Sequence, residues 1–161
     1  MAERSADLLI LARYNGWANA KLFALCAAAP RDALARKDGY ESIAEILRHL
    51  VHVESNFWLM SLGRARLPVD TTDLTELARR SVEVDAGIER LAEGAGDRDL
   101  SREFLVPWFG FNVTVREAIL QALTHSQKHR ADVCMLLPKL GVEVPGLDLI
   151  QWIAESRPAA D

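Results

Sequence analysis

Cysteine is nearly absent: among 161 residues only Cys26 and Cys134 occur. They are far apart and form no C-x-x-C pair. A disulfide scaffold is therefore not expected, and a reducing cytoplasm is the natural compartment. No apolar run reaches the ~18 residues a membrane span requires. Glu3 and Asp7 interrupt the N-terminal stretch before any apolar region develops, so no signal peptide is expected either. Basic residues are not in excess: 19 Lys and Arg face 23 Asp and Glu, for a net charge of -4. No basic stripe emerges, which argues against a nucleic-acid partner. Internal repeats and low-complexity tracts are also missing.

Apolar residues are plentiful. Hydrophobic residues make up 50% of the chain and charged residues 26%, a balance that excludes a disordered polymer. The hydrophobic period is helical. Leu8, Leu11, Asn15, Ala18, Leu22 and Leu25 form one stripe; Ile43, Ile46, Leu50, Val53 and Phe57 form a second. Leu74, Leu77, Ser81, Val84, Ile88 and Leu91 form a third, and Val115, Ala118, Ala122, His125, His129, Asp132 and Leu136 a fourth. Spacings of three and four place each stripe on one helix face.

Punctuation agrees with this reading. Ser42-Ile43-Ala44-Glu45 and Thr114-Val115-Arg116-Glu117 have the form of capping boxes, and Asp73 with Glu76 is a weaker version. Pro30, the segment from Gly63 to Pro68, and Gly94-Ala95-Gly96 end the first three helices. Pro138 kinks or ends the fourth, with Gly141 as a cap beyond it. The expectation is an all-α fold: a four-helix bundle with helices over about 5–29, 42–62, 73–94 and 114–138. A short C-terminal fifth helix is expected near 147–155. Phe104-Leu105-Val106 and Trp108-Phe109-Gly110-Phe111 are expected as short extended pieces, and Pro158–Asp161 as a frayed tail.

All four histidines fall on expected helices. His125 and His129 are four apart and project from one face; His49 lies beside the inward stripe of the second helix. Two ligands from one helix and a third from a facing helix build a metal site inside a bundle, and three protein ligands leave room for water or substrate. The same spacing also fits hydrogen-bonded core histidines, and at this point both readings stand. His52 is either a neighbour of the site or a partly exposed residue. Tyr14 and Trp17 are read as bundle packing. Asn15 either hydrogen-bonds near the site or cross-links helices. Trp58, Trp108, Phe109 and Phe111 line a pocket mouth or cover one end of the core. Cys134, nine residues past His125, is turned away from the ligand face.

The chain resembles the DinB/YfiT-like superfamily of metal-dependent four-helix proteins, which is distinct from the DNA polymerase that shares the DinB name. Tyr14-Asn15-Gly16-Trp17-Ala18-Asn19 resembles its Y-N-x-W-A-N stretch. Ser42-Ile43, His49-Leu50, Glu54 and Phe57-Trp58 follow its second-helix pattern, and His125-Ser126-Gln127-Lys128-His129-Arg130 its H-x-x-x-H-R. Leu140-Gly141 and Pro145-Gly146-Leu147-Asp148 match its ending. The resemblance implies one DinB-like domain over 1–161, with His49, His125 and His129 as ligands of a divalent ion, zinc or nickel. Lys128 replaces a frequent histidine, and Ala131-Asp132 a frequent Gly-Gln, which alters the pocket lining. Asp132 either orients a ligand imidazole or is a rim charge.

Relatives in this superfamily include transferases and isomerases that use bacillithiol, mycothiol or glutathione. The resemblance thus implies a metal-dependent enzyme that holds a small thiol as thiolate for attack on an electrophile, with Glu54 or Asp132 assisting if they face the pocket. Asn15, Trp58 and Trp108 are the candidate substrate contacts. Two alternatives remain: a hydrolase that activates water on the metal, and a non-catalytic dimeric stress-response protein that binds a metal. A homodimer is expected through exposed apolar faces of the first and third helices.

Overall fold

The computed structural model describes residues 3–37 and 41–157. In chain order it contains α1 (Glu3–Ala28), α2 (Arg31–Leu34), α3 (Ile43–Ser61), α4 (Leu74–Gly94) and α5 (Asp97–Leu100). Strands β1 (Glu103–Val106) and β2 (Phe111–Thr114) follow, then α6 (Val115–Leu136), a 3-10 turn (Leu137–Leu140) and α7 (Leu149–Ser156). The architecture is a mostly α bundle of four long helices with one small hairpin. Pro158–Asp161, expected as a frayed tail, lies outside the described residues.

Each of α3, α4 and α6 starts where its sequence signal stands. Ser42 and Thr114 form full capping boxes with Glu45 and Glu117, and the Asp73 side chain accepts from the Glu76 N–H. These caps satisfy amides that the first helical turn leaves without partners. Helix α6 ends by tightening into the 3-10 turn at Pro138, which has no N–H to continue the ladder. Gly141 closes that turn at φ 78°, a left-handed conformation natural to glycine. The short helices α2 and α5 carry no hydrophobic period of their own, and the stripes did not announce them.

One extended segment differs from expectation. The strands are 103–106 and 111–114, paired antiparallel with Phe104 opposite Val113 and Val106 opposite Phe111. Trp108, Phe109 and Gly110 form the connecting turn instead. The N–H groups of Phe109 and Gly110 both donate to the Val106 carbonyl, and Gly110 takes φ 75°.

Helix α1 packs broadly on α4 and α3 on α6; contacts of α3 with α4 and of α1 with α6 close the square. The interior has two apolar clusters. One gathers Leu8, Phe57, Ile88 and Ala122; the other gathers Leu22, Leu50, Leu77 and Val133. Helices α1 and α6 run from the first cluster to the second, whereas α3 and α4 run the opposite way. Residues 62–73 must therefore travel back along the bundle between α3 and α4. His52 fastens this return, because its Nδ1 accepts the Val69 N–H at 3.3 Å.

A buried polar layer separates the clusters and draws side chains from every long helix. Asn15 Nδ2 of α1 donates to Glu54 Oε1 of α3 at 2.6 Å and to Asp85 Oδ1 of α4 at 2.8 Å. Asn19 Nδ2 also reaches both carboxylates. Arg130 of α6 donates to the Oδ1 atoms of Asn15 and Asn19 at 2.6 and 2.8 Å. Ser126 caps Glu54, and Ser81 caps Asp85. Each asparagine thus accepts from the cation and donates to the acids. Burial, and then Asp85, raise the Glu54 pKa well above the usual carboxylate range; burial likewise raises that of Asp85.

Two predictions follow from this interior. A carboxyl whose folded pKa is raised binds its proton more tightly in the folded state, so its stabilisation is full below the unfolded pKa and is lost as pH rises. Urea unfolding should show stability falling from mildly acidic to alkaline pH, by at most about 1.4 kcal/mol per pH unit for each proton. In Glu54→Gln or Asp85→Asn that fall should shrink; an unchanged slope in both would contradict the buried protonated acid. Separately, Gly87 lies under the Trp58 indole, and an added Cβ would come within 2.3 Å of Trp58 Cε2. Gly87→Ala should cost about 1–3 kcal/mol in a thermal melt despite its better helix propensity, and Trp58→Phe in the same chain should recover part of that loss.

Candidate metal centre

The inward line of α6 runs on regularly past Ala122, one residue off the stripe expected for its second half. Val115, Ala118 and Ala122 are buried as their stripe requires, but beyond them the buried positions are Ser126, Arg130 and Val133. His125 and His129 stand one residue aside, half-buried at the edge of the α3–α6 interface. His49 meets them there from α3. This placement suits a ligand: the imidazoles are shielded from bulk water without being sealed in the core.

One candidate nitrogen from each of His49, His125 and His129 lies within 4.8 Å of the others. Their ring centroids are 4.4 to 5.0 Å apart. His125 Nε2 and His129 Nε2 approach to 3.2 Å. Two nitrogens bound at 2.0–2.1 Å to one tetrahedral ion would stand about 3.3 Å apart, so this spacing matches a shared ion. Burial, followed by His129, His49 and Lys128, pushes the His125 pKa down to about 4. Burial, and then His129, lower that of His49. His125 therefore offers a neutral lone pair at neutral pH, the form a metal requires. The residues fit a divalent ion, and the cluster could bind one.

Asp132 is more than a rim charge. Its Oδ2 accepts from His129 Nδ1 at 3.0 Å, which aims the opposite nitrogen, Nε2, at His125. His125 Nδ1 is buried and has no hydrogen-bond partner.

Other candidates lie elsewhere. Glu54 is fully buried in the polar layer, and its oxygens are occupied by Asn15, Asn19 and Ser126. It does not face the histidines as a free base. Asn15 cross-links helices in the same layer. Trp58 is nine residues past His49, which turns it to the opposite side of α3, against Gly87. Trp108 stands edge-on to Phe57 at 5.9 Å, about two turns along α3 from His49. Neither tryptophan lines the histidine cluster. Tyr14 donates to the Leu147 carbonyl and Trp17 to Glu155, so both brace the C-terminal segment. Cys26 and Cys134 are free thiols whose pKa values burial raises.

Sequence reasoning missed Asn19, Ser126, Arg130 and the tethering role of His52. A signal for the first existed, since Asn15 and Ser81 already interrupted apolar stripes and Asn19 is one turn from Asn15. For Arg130 the signal was its place in the H-x-x-x-H-R pattern; the residue pattern alone gave none, because a charged residue beside His129 reads as exposed.

Two solved structures share this fold. A DinB-like protein from Bacillus cereus ATCC 10987 superposes with a TM-score of 0.64 at 19% identity, covering 83% of this chain and 91% of that one. A DinB-like protein, YjoA, from Bacillus subtilis gives 0.64 at 18% identity, covering 88% and 97%. No curated protein matches the chain in sequence. The DinB family model matches residues 3–158, and the chain belongs to the DinB family.

Proposed function

We propose that this protein is a divalent-metal-dependent enzyme that activates a small thiol for attack on an electrophile, in the manner of a thiol S-transferase. The convergence of His49, His125 and His129 on one point, with two nitrogens 3.2 Å apart, carries the reading. Zinc or nickel suits an imidazole donor set. When bound, such an ion lowers the pKa of a thiol and stabilises its thiolate at neutral pH. The chain's own part is to hold three neutral imidazoles, fix His129 through Asp132, and keep the site half-shielded from water. Lys128 and Arg48, the cations that depress the pKa values of His125 and His49, favour an anionic ligand at the same edge.

A second copy of the chain completes this proposal. The outer seam of α1 and α4 holds a groove of about 610 Å³ lined by Ala12, Gly16, Ala20, Ala24, Val82 and Ala86. Its small side chains would let another helix pair approach closely. The cytoplasm supplies both the thiol and the reducing conditions the free cysteines need.

Elemental analysis tests the site directly. Wild-type protein should carry about one ion per chain, as a three-histidine centre requires, and His125→Ala should lose it. Chelator should lower the melting temperature of the wild type and leave the variant unmoved. Turnover of an electrophile such as a haloaromatic should require added thiol. A metal-free wild type that takes up no zinc or nickel on reconstitution would end the reading. For the dimer, light scattering should give twice 17.9 kDa for the wild type and 17.9 kDa for Val82→Arg; equal masses would remove α1 and α4 as the interface.

A further inference from the structure

Helix α6 carries polar side chains on two opposite faces. His125, His129 and Asp132 lie on one; Gln127, Arg130 and Cys134 lie about half a turn round the helix from them. On that second side, α1, α6 and the segment 144–148 border a cavity of about 300 Å³. Tyr14, Arg130 and Cys134 line it from the helices, and Val144, Pro145 and Leu147 line it from the segment. The Tyr14 hydroxyl donates to the Leu147 carbonyl at 2.7 Å and ties the two walls together.

Arg130 is the group in this cavity that the fold uses only in part. It is 3% exposed, and among the described residues both of its hydrogen bonds leave from Nη1. They end on neutral amide oxygens, those of Asn15 and Asn19, and no carboxylate of the described residues pairs with the guanidinium. Glu54 and Asp85 stand one hydrogen bond further out, where burial favours their protonated forms. A desolvated cation held only by neutral groups is costly. The other edge, Nε with Nη2, has no protein partner, and neither nitrogen is among the atoms that the fold seals from solvent without one. It therefore opens on the cavity that Arg130 lines. That edge presents two parallel N–H donors, the fork that grips a carboxylate with two bonds. The Tyr14 ring, its centre 5.5 Å from Cζ, steadies the guanidinium.

We infer that this cavity is a second ligand site, in which the Nε–Nη2 edge of Arg130 receives the carboxylate of a small monocarboxylic acid whose apolar body lies against Val144, Pro145 and Leu147. Two features favour a single negative charge over a phosphate dianion. Asp148, at the exposed rim, opposes a second charge, and among the described residues Arg130 is the only cation that lines the cavity. The site stands on the far face of α6 from the histidines, so it adds to the thiol reading without resting on it.

The test titrates full-length protein by calorimetry with benzoate, with its neutral counterpart benzamide, and with inorganic phosphate. Benzoate should bind about tenfold more tightly than benzamide, the scale of a charge-assisted hydrogen bond, and more tightly than phosphate. Alkylation of Cys134 by iodoacetamide, read on its peptide by mass spectrometry, locates the ligand, and saturating benzoate should suppress it. Gln127→Glu, at an exposed rim position, should weaken benzoate about threefold, and Asp148→Asn should tighten it by a similar factor. Arg130→Lys keeps the charge but removes the fork, and should lose most of the preference over benzamide. Because that change also touches the buried layer, the two rim variants carry the test if a thermal melt shows Arg130→Lys unfolded. Benzoate binding should persist in His125→Ala. Equal binding of benzoate and benzamide, no binding of either, or binding that leaves Cys134 alkylation unchanged would overturn the inference. So would a Cys134 that iodoacetamide never reaches, which would mean a closed cavity. Loss of binding in His125→Ala would place the benzoate at the histidines instead, and phosphate binding as tightly as benzoate would overturn the carboxylate assignment.

Discussion

The buried polar layer is the constraint on which the rest of the bundle depends. Two carboxylates and one guanidinium leave water at the centre of the fold, and such desolvation is tolerable only when every group finds partners. Asn15 and Asn19 make that possible. Each asparagine gives its oxygen to Arg130 and its NH₂ to the acids, so the ionisable groups of α3, α4 and α6 are joined through α1. Apolar clusters on either side tolerate sliding and rotation of helices; this layer does not. A one-residue slip of any of the four helices would strand a charge in the core.

That registration also serves the histidines. Ser126 and Arg130 are immediate neighbours of His125 and His129, so fixing the former in the layer fixes the azimuth of the latter. Glu54 does the same for α3, five residues from His49. The histidine cluster is therefore held from behind by groups that never touch it. Asp132 adds the last restraint from the outer side by orienting His129. The arrangement separates two parts: the layer sets where the helices stand, and the edge of the α3–α6 seam carries the three histidines.

The return segment between α3 and α4 is the second consequence of the helix directions. Parallel neighbours cannot be joined by a short turn, so residues 62–73 run the length of the bundle beside α3. His52 holds this segment and stands outside the cluster of His49, His125 and His129. The same ring meets the Asn56 amide at 3.0 Å, and the segment brings Arg66 onto the face of Trp108.

Much of the fold was legible in the sequence because its signals are local. Ser42, Asp73 and Thr114 mark helix starts through bonds made within three residues, and the stripes mark inward faces by period alone. The pairing of His125 with His129 is a property of one helix turn. The stripe of the second helix brought His49 toward the same site, and the resemblance favoured it over His52. What the tertiary structure decided is everything that depends on how one helix rotates against another. The inward line of α6 passes through Ser126 and Arg130 instead of the histidines, because the bundle centre demands a cation opposite two acids. Glu54 and Asn15 went into the buried layer and away from the histidines for the same reason. Trp58 and Trp108 stand away from the histidine cluster, because Trp58 packs over Gly87 of α4 and Trp108 against Phe57. Sequence fixes which side chains share a face of one helix; only the packed bundle determines which face meets which, since that choice is set by satisfying buried charge across four segments distant in the chain.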